Sequence, residues 1–313
     1  MKLVILLNAL LLASCGAAAQ YPARPIRLLV GFTPGGAADF SARIISRHMA
    51  DTMGATFVVE NRSGAGGNVA AQIAATASAD GHTLFWGSVG PLTVSPALGV
   101  KLPYDPFRGF APIGLAVNSC NVLVARPGFP ANTVGELVAY AKAKPGQLNY
   151  GSQGIGSTGH LAGELLKTMT GTDIVHVGYK GGSEVVTSVL GGEIALAFVS
   201  VTGMRGMGSQ AKALATTCGK RDPGLPAVPT FAESGVKNYD ATFWYGLLAP
   251  AHAPPSVVSR LNAALRSAVT DPTLAQRLET QGLTPAPTSP IGFSELIRAD
   301  YEKWMKVFGG KQP

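Results

Sequence analysis

Three cysteines in 313 residues are too few for a disulfide scaffold or a cysteine-rich zinc module. The histidines His48, His82, His160, His176 and His252 are scattered, with no His-x-x-x-His pair, so the pattern offers no metal site. No serine stands in a Gly-x-Ser-x-Gly elbow, which removes the usual sign of an α/β hydrolase nucleophile. Trp86, Trp244 and Trp304 follow no regular spacing, and no basic stripe interleaved with aromatics suggests nucleic acid. Beyond the first thirteen residues no apolar run approaches the ~20 residues that span a bilayer. What the chain does have is 46% hydrophobic residues, enough for a large core and too many for wholesale disorder. Its 39 glycines and 22 prolines give tight turns without a collagen period. A net charge of +7 is a mild bias towards anionic partners. The length suits two domains of ~150 residues.

Lys2 followed by the apolar run Val4 to Ala13 has the form of a secretory signal. Ala17-Ala18-Ala19 fits ordinary cleavage, giving a signal peptide over 1–19. Leu12-Ala13-Ser14-Cys15 fits a lipobox, which would end the leader at 14 and anchor the chain through Cys15. Either exit exports the product and argues against cytosolic cofactors such as NAD, ATP and CoA. In an oxidising compartment Cys120 and Cys218 could pair, or could remain two small buried hydrophobes.

Strands alternate with helices, the pattern of βαβ units and a mostly parallel sheet. Arg27 to Phe32 reads as a strand, Pro34-Gly35-Gly36 as its turn, and Phe40, Ile44, Ile45 and Met49 as one face of the following helix, stopped by Gly54. Thr56 to Val59 and Thr83 to Gly87 are further strands, with Gly64-Ala65-Gly66-Gly67 and a helix from about Asn68 between them. A second series begins after strand Asn121 to Ala125 and Arg126-Pro127-Gly128. It opens with the capping box Thr133-x-x-Glu136. Strands follow at Leu148 to Gly151, Ile174 to Tyr179, Ile194 to Val199 and Ala213 to Thr217, with Ser183 read as a helix cap. Ala241 to Leu248 leads out of this half. The tail is helical, with Val257, Leu261, Ala264, Leu265 and Ala268 as a stripe and Asp271-Pro272 and Ser289-Pro290 as helix starts, and no strand is assigned to it. Packed on the first half, it makes the chain cross twice between lobes, near 122–125 and 242–249. Lobe 1 is then 20–122 plus 246–313 and lobe 2 is 123–245, with a two-strand hinge and a cleft.

Two segments share a strand, glycine turn and helix start: Leu28 to Asp39, with Thr33, Pro34, Gly35 and Gly36, and Leu148 to His160, with Ser152, Gly156, Ser157 and Thr158. The first amides of each helix lack intrahelical partners and carry the positive end of the helix dipole, so each turn is a candidate cradle for a carboxylate or phosphate. Open α/β sheets bind ligands beyond the carboxyl ends of their strands, and two such ends facing each other would grip one ligand. Ser88 and Ser200 are hydroxyls at strand ends; Tyr179-Lys180 offers a phenol and an ammonium. Asp39 suits the helix dipole and an i,i+4 pair with Arg43, yet could take a ligand amine. His160 reads as a loop-holding hydrogen bonder rather than a proton donor, and Glu60-Asn61-Arg62 as a loop-fixing charge set. Gly154-x-Gly156-x-x-Gly159 matches a dinucleotide fingerprint in spacing only, since Asp173 precedes the second strand instead of ending it.

Together the motifs resemble the receptors of tripartite tricarboxylate transporters, the Bug family of periplasmic solute-binding proteins. The resemblance rests on Phe32-x-Pro34-Gly35-Gly36-x-x-Asp39-x-x-Ala42-Arg43, Val58-Val59-Glu60-Asn61-Arg62-x-Gly64-Ala65-Gly66-Gly67, Leu102-Pro103-Tyr104-Asp105-Pro106, Gly156-Ser157-x-x-His160-Leu161 and Tyr179-Lys180-Gly181, in order along nearly the whole mature length. It implies a two-lobed Venus-flytrap fold, each lobe a mostly parallel sheet flanked by helices, with the loops at Thr33 to Gly36 and Ser152 to Thr158 holding a ligand carboxylate. It also implies no catalytic residue, no cofactor, a monomer, a small organic carboxylate as ligand and a membrane permease as partner. Ser95-Pro96 for the family's Asn-Pro, Gly178 for Pro and Ala195 for Asp are departures on which the far end of the ligand depends. The competing readings are an exported hydrolase or isomerase in the same cleft and a sensor subunit that presents its ligand.

Overall fold

The computed structural model describes residues 21–179 and 181–308; the expected signal segment 1–19, with Cys15, and Lys180 lie outside the described residues. In chain order the elements are β1 (Ile26–Val30), α1 (Ala37–Met53), β2 (Phe57–Asn61), α2 (Asn68–Ala75), β3 (Thr83–Ser88), β4 (Phe110–Ser119), β5 (Asn121–Ala125), α3 (Val134–Ala143), β6 (Leu148–Ser152), α4 (Thr158–Thr170), β7 (Ile174–Gly178), α5 (Gly182–Leu190), β8 (Leu196–Ser200), α6 (Val201–Met207), β9 (Lys212–Thr216), β10 (Phe243–Pro250), α7 (Pro255–Thr270), α8 (Pro272–Glu279), β11 (Leu283–Pro285) and α9 (Pro290–Phe308).

They build two sheets. The first runs β11-β4-β10-β3-β1-β2 and the second β7-β6-β8-β5-β9. In the first, β1 is parallel to β2 and β3, while β10 is antiparallel to both β3 and β4. In the second, β6 is parallel to β7 and β8, and β5 opposes β8 and β9. Each sheet is therefore mixed in its pairings: β1, β2, β3 and β4 run one way and β10 and β11 the other in the first, and β5 alone opposes its neighbours in the second. β1 reads Ile-Arg-Leu-Leu-Val with all but Arg27 buried, because helices cover both faces. Arg27 turns to the edge and grips Glu60 with two hydrogen bonds of 2.8 and 3.1 Å, which with Arg62 hold that carboxyl at about 2.

The helix signals act as the sequence indicates. Thr133 accepts from the Glu136 amide and Glu136 reaches back to the Asn132 amide. Asp271 caps α8 and Ser289 caps α9. Ser183 is an exception: Gly181 is the residue before α5 and no side chain caps it.

Two strands go beyond the sequence reading. β4 is central, but Pro112 and Gly114 break its alternation, and its pairing with β10 slips at two places. β11 gives the tail a strand of its own, three residues on the outer edge of β4. Thr93, in the short helical stretch 90–97, donates to the buried carboxylate of Asp300 on α9, which also takes Trp244 Nε1 and Lys303. Asp300→Ala leaves Trp244 Nε1 and Lys303 without this acceptor and Thr93 with the Val89 carbonyl alone. It is expected to lower the unfolding free energy by about 1–3 kcal/mol, read as a shifted urea midpoint at unchanged slope.

The chain passes from the first sheet to the second at Cys120, between β4 and β5, and returns through residues 217–242. Asn121–Ala125 thus lies in the second sheet and Phe243–Pro250 in the first. Cys120 and Cys218 are disulfide-bonded, with Cα atoms 5.4 Å apart, one on each crossing.

Candidate functional site

On the first sheet the carboxyl ends of β1 and β3 are neighbours, and β1 runs into the exposed turn Thr33, Pro34, Gly35, Gly36. Gly35 has φ +88°, where a side chain would be strained. Its amide donates to Asp39 Oδ2 at 3.0 Å, while Arg43 Nε and Asn61 Nδ2 each reach Asp39 Oδ1 at 2.9 Å. Burial acts to raise the Asp39 pKa, but these donors prevail and hold it below the usual carboxylate range. The Asp39 carboxylate is therefore taken by the protein's own donors. It shapes the turn through these bonds. The Ala37 and Ala38 amides, first in α1, have no acceptor among the described residues.

On the second sheet the carboxyl ends of β6, β7 and β8 share one edge. Here Ser157 is the cap of α4: its Oγ accepts the His160 amide at 3.3 Å and donates to Ser152 Oγ at 3.1 Å. Ser152 Oγ pairs with His176 Nε2 at 2.7 Å. His160 Nδ1 accepts the Gly156 amide at 3.3 Å. Thr158 Oγ1 accepts from Asn121 Nδ2 on the crossing strand. The Thr158 and Gly159 amides, like those of α1, have no acceptor among the described residues. Ser200 is occupied as the cap of α6, and Tyr179 donates its amide to the Ser152 carbonyl while its ring packs on the second core. Ser88 is buried with an unpartnered Oγ.

The two edges face each other and touch. A Cβ on Gly90, just after β3, would lie 2.6 Å from the Gly66 carbonyl oxygen and 3.2 Å from that of Gly156. A Cβ on Gly66 would lie 3.4 Å from the Ile155 carbonyl oxygen. The turns after β2 and β3 thus abut the turn after β6, backbone to backbone, where a side chain has no room. The sequence reading brings together Ser152, Gly156, Ser157, Thr158 and His160, and sets Thr33 to Gly36 and Ser88 on the opposing edge. It does not assign Gly66, Gly90, Asn121 or His176. His176 was detectable only through register, since it pairs with Tyr150, two residues before Ser152 on the same face of β6. A groove of about 410 Å³ between α4 and α9, lined by Leu165, Met169 and Trp304, shares none of these turn residues.

Two α/β lobes, joined by two crossings and meeting at the carboxyl ends of their parallel strands, define a periplasmic-binding-protein fold. The chain belongs to the tripartite tricarboxylate transporter family receptors, whose family pattern matches residues 41–310. These are solute receptors and not enzymes. It is 32% identical to Protein BugT of Bordetella pertussis over 290 residues, 92% of this chain and 89% of that one. Among solved structures, an R. palustris protein with adipate superposes with a TM-score of 0.87 at 33% identity, covering 92% of this chain and 97% of that one. MatC from Rhodopseudomonas palustris with bound malate gives 0.83 at 30% identity, covering 92% and 99%. Among the described residues no helix is long and apolar enough to cross a membrane.

Proposed function

We propose that this protein captures a small organic carboxylate between the two facing edges and hands it to the membrane permease of a tripartite transporter. The observation that carries this is the contact of Gly66 and Gly90 with the Ile155–Gly156 turn, which brings two strand-end edges together; the α1 and α4 starts, whose first amides could take an anion, follow turns of those two edges. One lobe supplies Ala37 and Ala38, the other Thr158 and Gly159, with Ser157 holding the second turn in shape. No charged side chain is needed, because amides at two helix starts carry the positive end of two dipoles. Ligand closes the lobes about the crossings at Cys120 and Cys218, and the closed form is what a permease reads. Relatives solved with adipate and malate make dicarboxylates the first compounds to try.

Calorimetry against adipate, malate, acidic amino acids and aromatic acids, each beside its neutral amide, tests the reading. One acid is expected to bind saturably while its amide does not. At a hundred times its Kd that acid should stabilise the fold by about 2.7 kcal/mol, a rise in Tm of roughly 5–10 °C. Equal binding of acid and amide, or chemical turnover of the bound acid, would sink it.

A further inference from the structure

We propose that His160 and His176 act as one positioning pair, both neutral, that aims the Ile155–Gly156 peptide across the cleft and fixes the hydroxyls beneath the carboxylate cradle. The inference rests on the carboxylate-receptor reading above and adds how the second-lobe turn is held in its binding shape.

The geometry is specific. A trans peptide points its N–H and C=O in opposite directions. The Gly156 N–H is held inside the second lobe by His160 Nδ1 at 3.3 Å. The carbonyl of the same peptide, that of Ile155, must then point outwards, and it is the atom that stands against Gly66 of the first lobe. One imidazole acceptor thus sets both the shape of the turn and its contact with the opposite lobe. His176 acts beside it: its Nε2 meets Ser152 Oγ, into which Ser157, the cap of α4, donates. The two rings lie 4.5 Å apart, so they settle their orientation together.

The surroundings keep both rings uncharged. The groups that face them are Glu164 and Lys167 on α4 and Tyr150 on β6, with Tyr239 of the returning crossing acting on Tyr150 behind them. Glu164 is already engaged by Lys167 at 2.9 Å and by the Tyr150 hydroxyl at 2.9 Å. Tyr239 spends its hydroxyl on the Ala162 carbonyl. Burial, then the neighbouring His176 ring, pull His160 down to about 4, with Glu164 opposing. Burial also lowers His176. A protonated His160 would carry a hydrogen on Nδ1 and could no longer accept from Gly156. The folded-state value lies below the unfolded one, so the arrangement is complete at neutral pH and is lost as pH falls through about 4.

Nitrogen-15 spectra of histidine-labelled protein at pH 7 should show His160 neutral with Nδ1 bare. A proton on Nδ1 would end the proposal without any variant. Amide exchange at Gly156, measured without ligand, should be slow in the wild type, at least ten times faster in His160→Leu, and slow again in His160→Asn, whose Oδ1 replaces Nδ1. Unchanged exchange in the leucine variant, or no recovery with asparagine, would overturn it. Adipate and malate titrations form a separate arm. His160→Leu and His176→Phe should each weaken binding at least tenfold, with recovery in His160→Asn and His176→Gln. If the wild type binds none of the acids screened above while the spectra and exchange behave as described, the carboxylate reading fails and the positioning pair stands. Equal affinity in the leucine, phenylalanine and wild-type proteins sinks the pair's part in binding.

Discussion

Replacing both Cys120 and Cys218 with alanine is expected to lower the unfolding free energy by about 2–4 kcal/mol. The bond joins residues 98 apart in sequence, and a loop of that order carries a chain-entropy ceiling near 4.7 kcal/mol. Both cysteines are buried, so the disulfide also fills space that two alanines leave partly empty. Urea unfolding of the variant beside the wild type, at matched pH, reads the difference. The crossings remain tied without sulfur: the Thr217 amide reaches the Asn121 carbonyl at 2.9 Å, the Asn121 amide reaches Thr217 Oγ1 at 2.8 Å, and the Ala241 amide reaches the Thr217 carbonyl at 2.8 Å. Carboxylate affinity should therefore change less than threefold. A large loss of affinity with little loss of stability would show that the bond governs the hinge and not the fold.

The second large effect is expected at Gly90. Valine there inserts three carbons where the carbonyls of Gly66 and Gly156 already converge. Overpacking of this kind costs about 1–3 kcal/mol: the 2.6 Å approach to the Gly66 carbonyl lies within the first lobe and lowers stability, while the 3.2 Å approach to the Gly156 carbonyl loads the contact between the lobes. Affinity for the carboxylate that the wild type binds should drop about 10- to 100-fold by calorimetry. Gly99→Ala, a glycine of the same lobe with open space around it but φ +70°, is the comparison for a general loss of stability. If Gly90→Val binds as tightly as wild type, the lobes do not close on this contact.

Much of the scaffold was readable because it depends on local chemistry. The apolar run of β1, the Pro34-Gly35-Gly36 turn and the stripe of α1 follow from side-chain period alone. The caps at Thr133, Asp271 and Ser289 follow from short-range hydrogen bonding. What was hidden depends on topology. β4 carries a proline and a glycine that a central strand seldom tolerates, and only its bulged pairing with β10 accommodates them. Gly66 and Gly90 look like ordinary turn glycines until a third turn, far along the chain in the other lobe, packs on them at Ile155 and Gly156. Cys120 and Cys218 could pair or stay apart on the sequence, because nothing in their spacing shows that the two crossings run side by side. Asp39 looked available to a ligand because its partner Asn61 comes from the neighbouring strand.

The place where β4 ends and β10 begins has an engineering consequence. Ser119 and Phe243 are paired residues on adjacent antiparallel strands. Seen from the first sheet, everything between them is the loop of a hairpin, one that happens to contain a second sheet. A two-residue Asn-Gly turn joining those strands has the geometry to close the ladder, so the host lobe is a natural chassis from which the guest can be excised or exchanged for another receptor's.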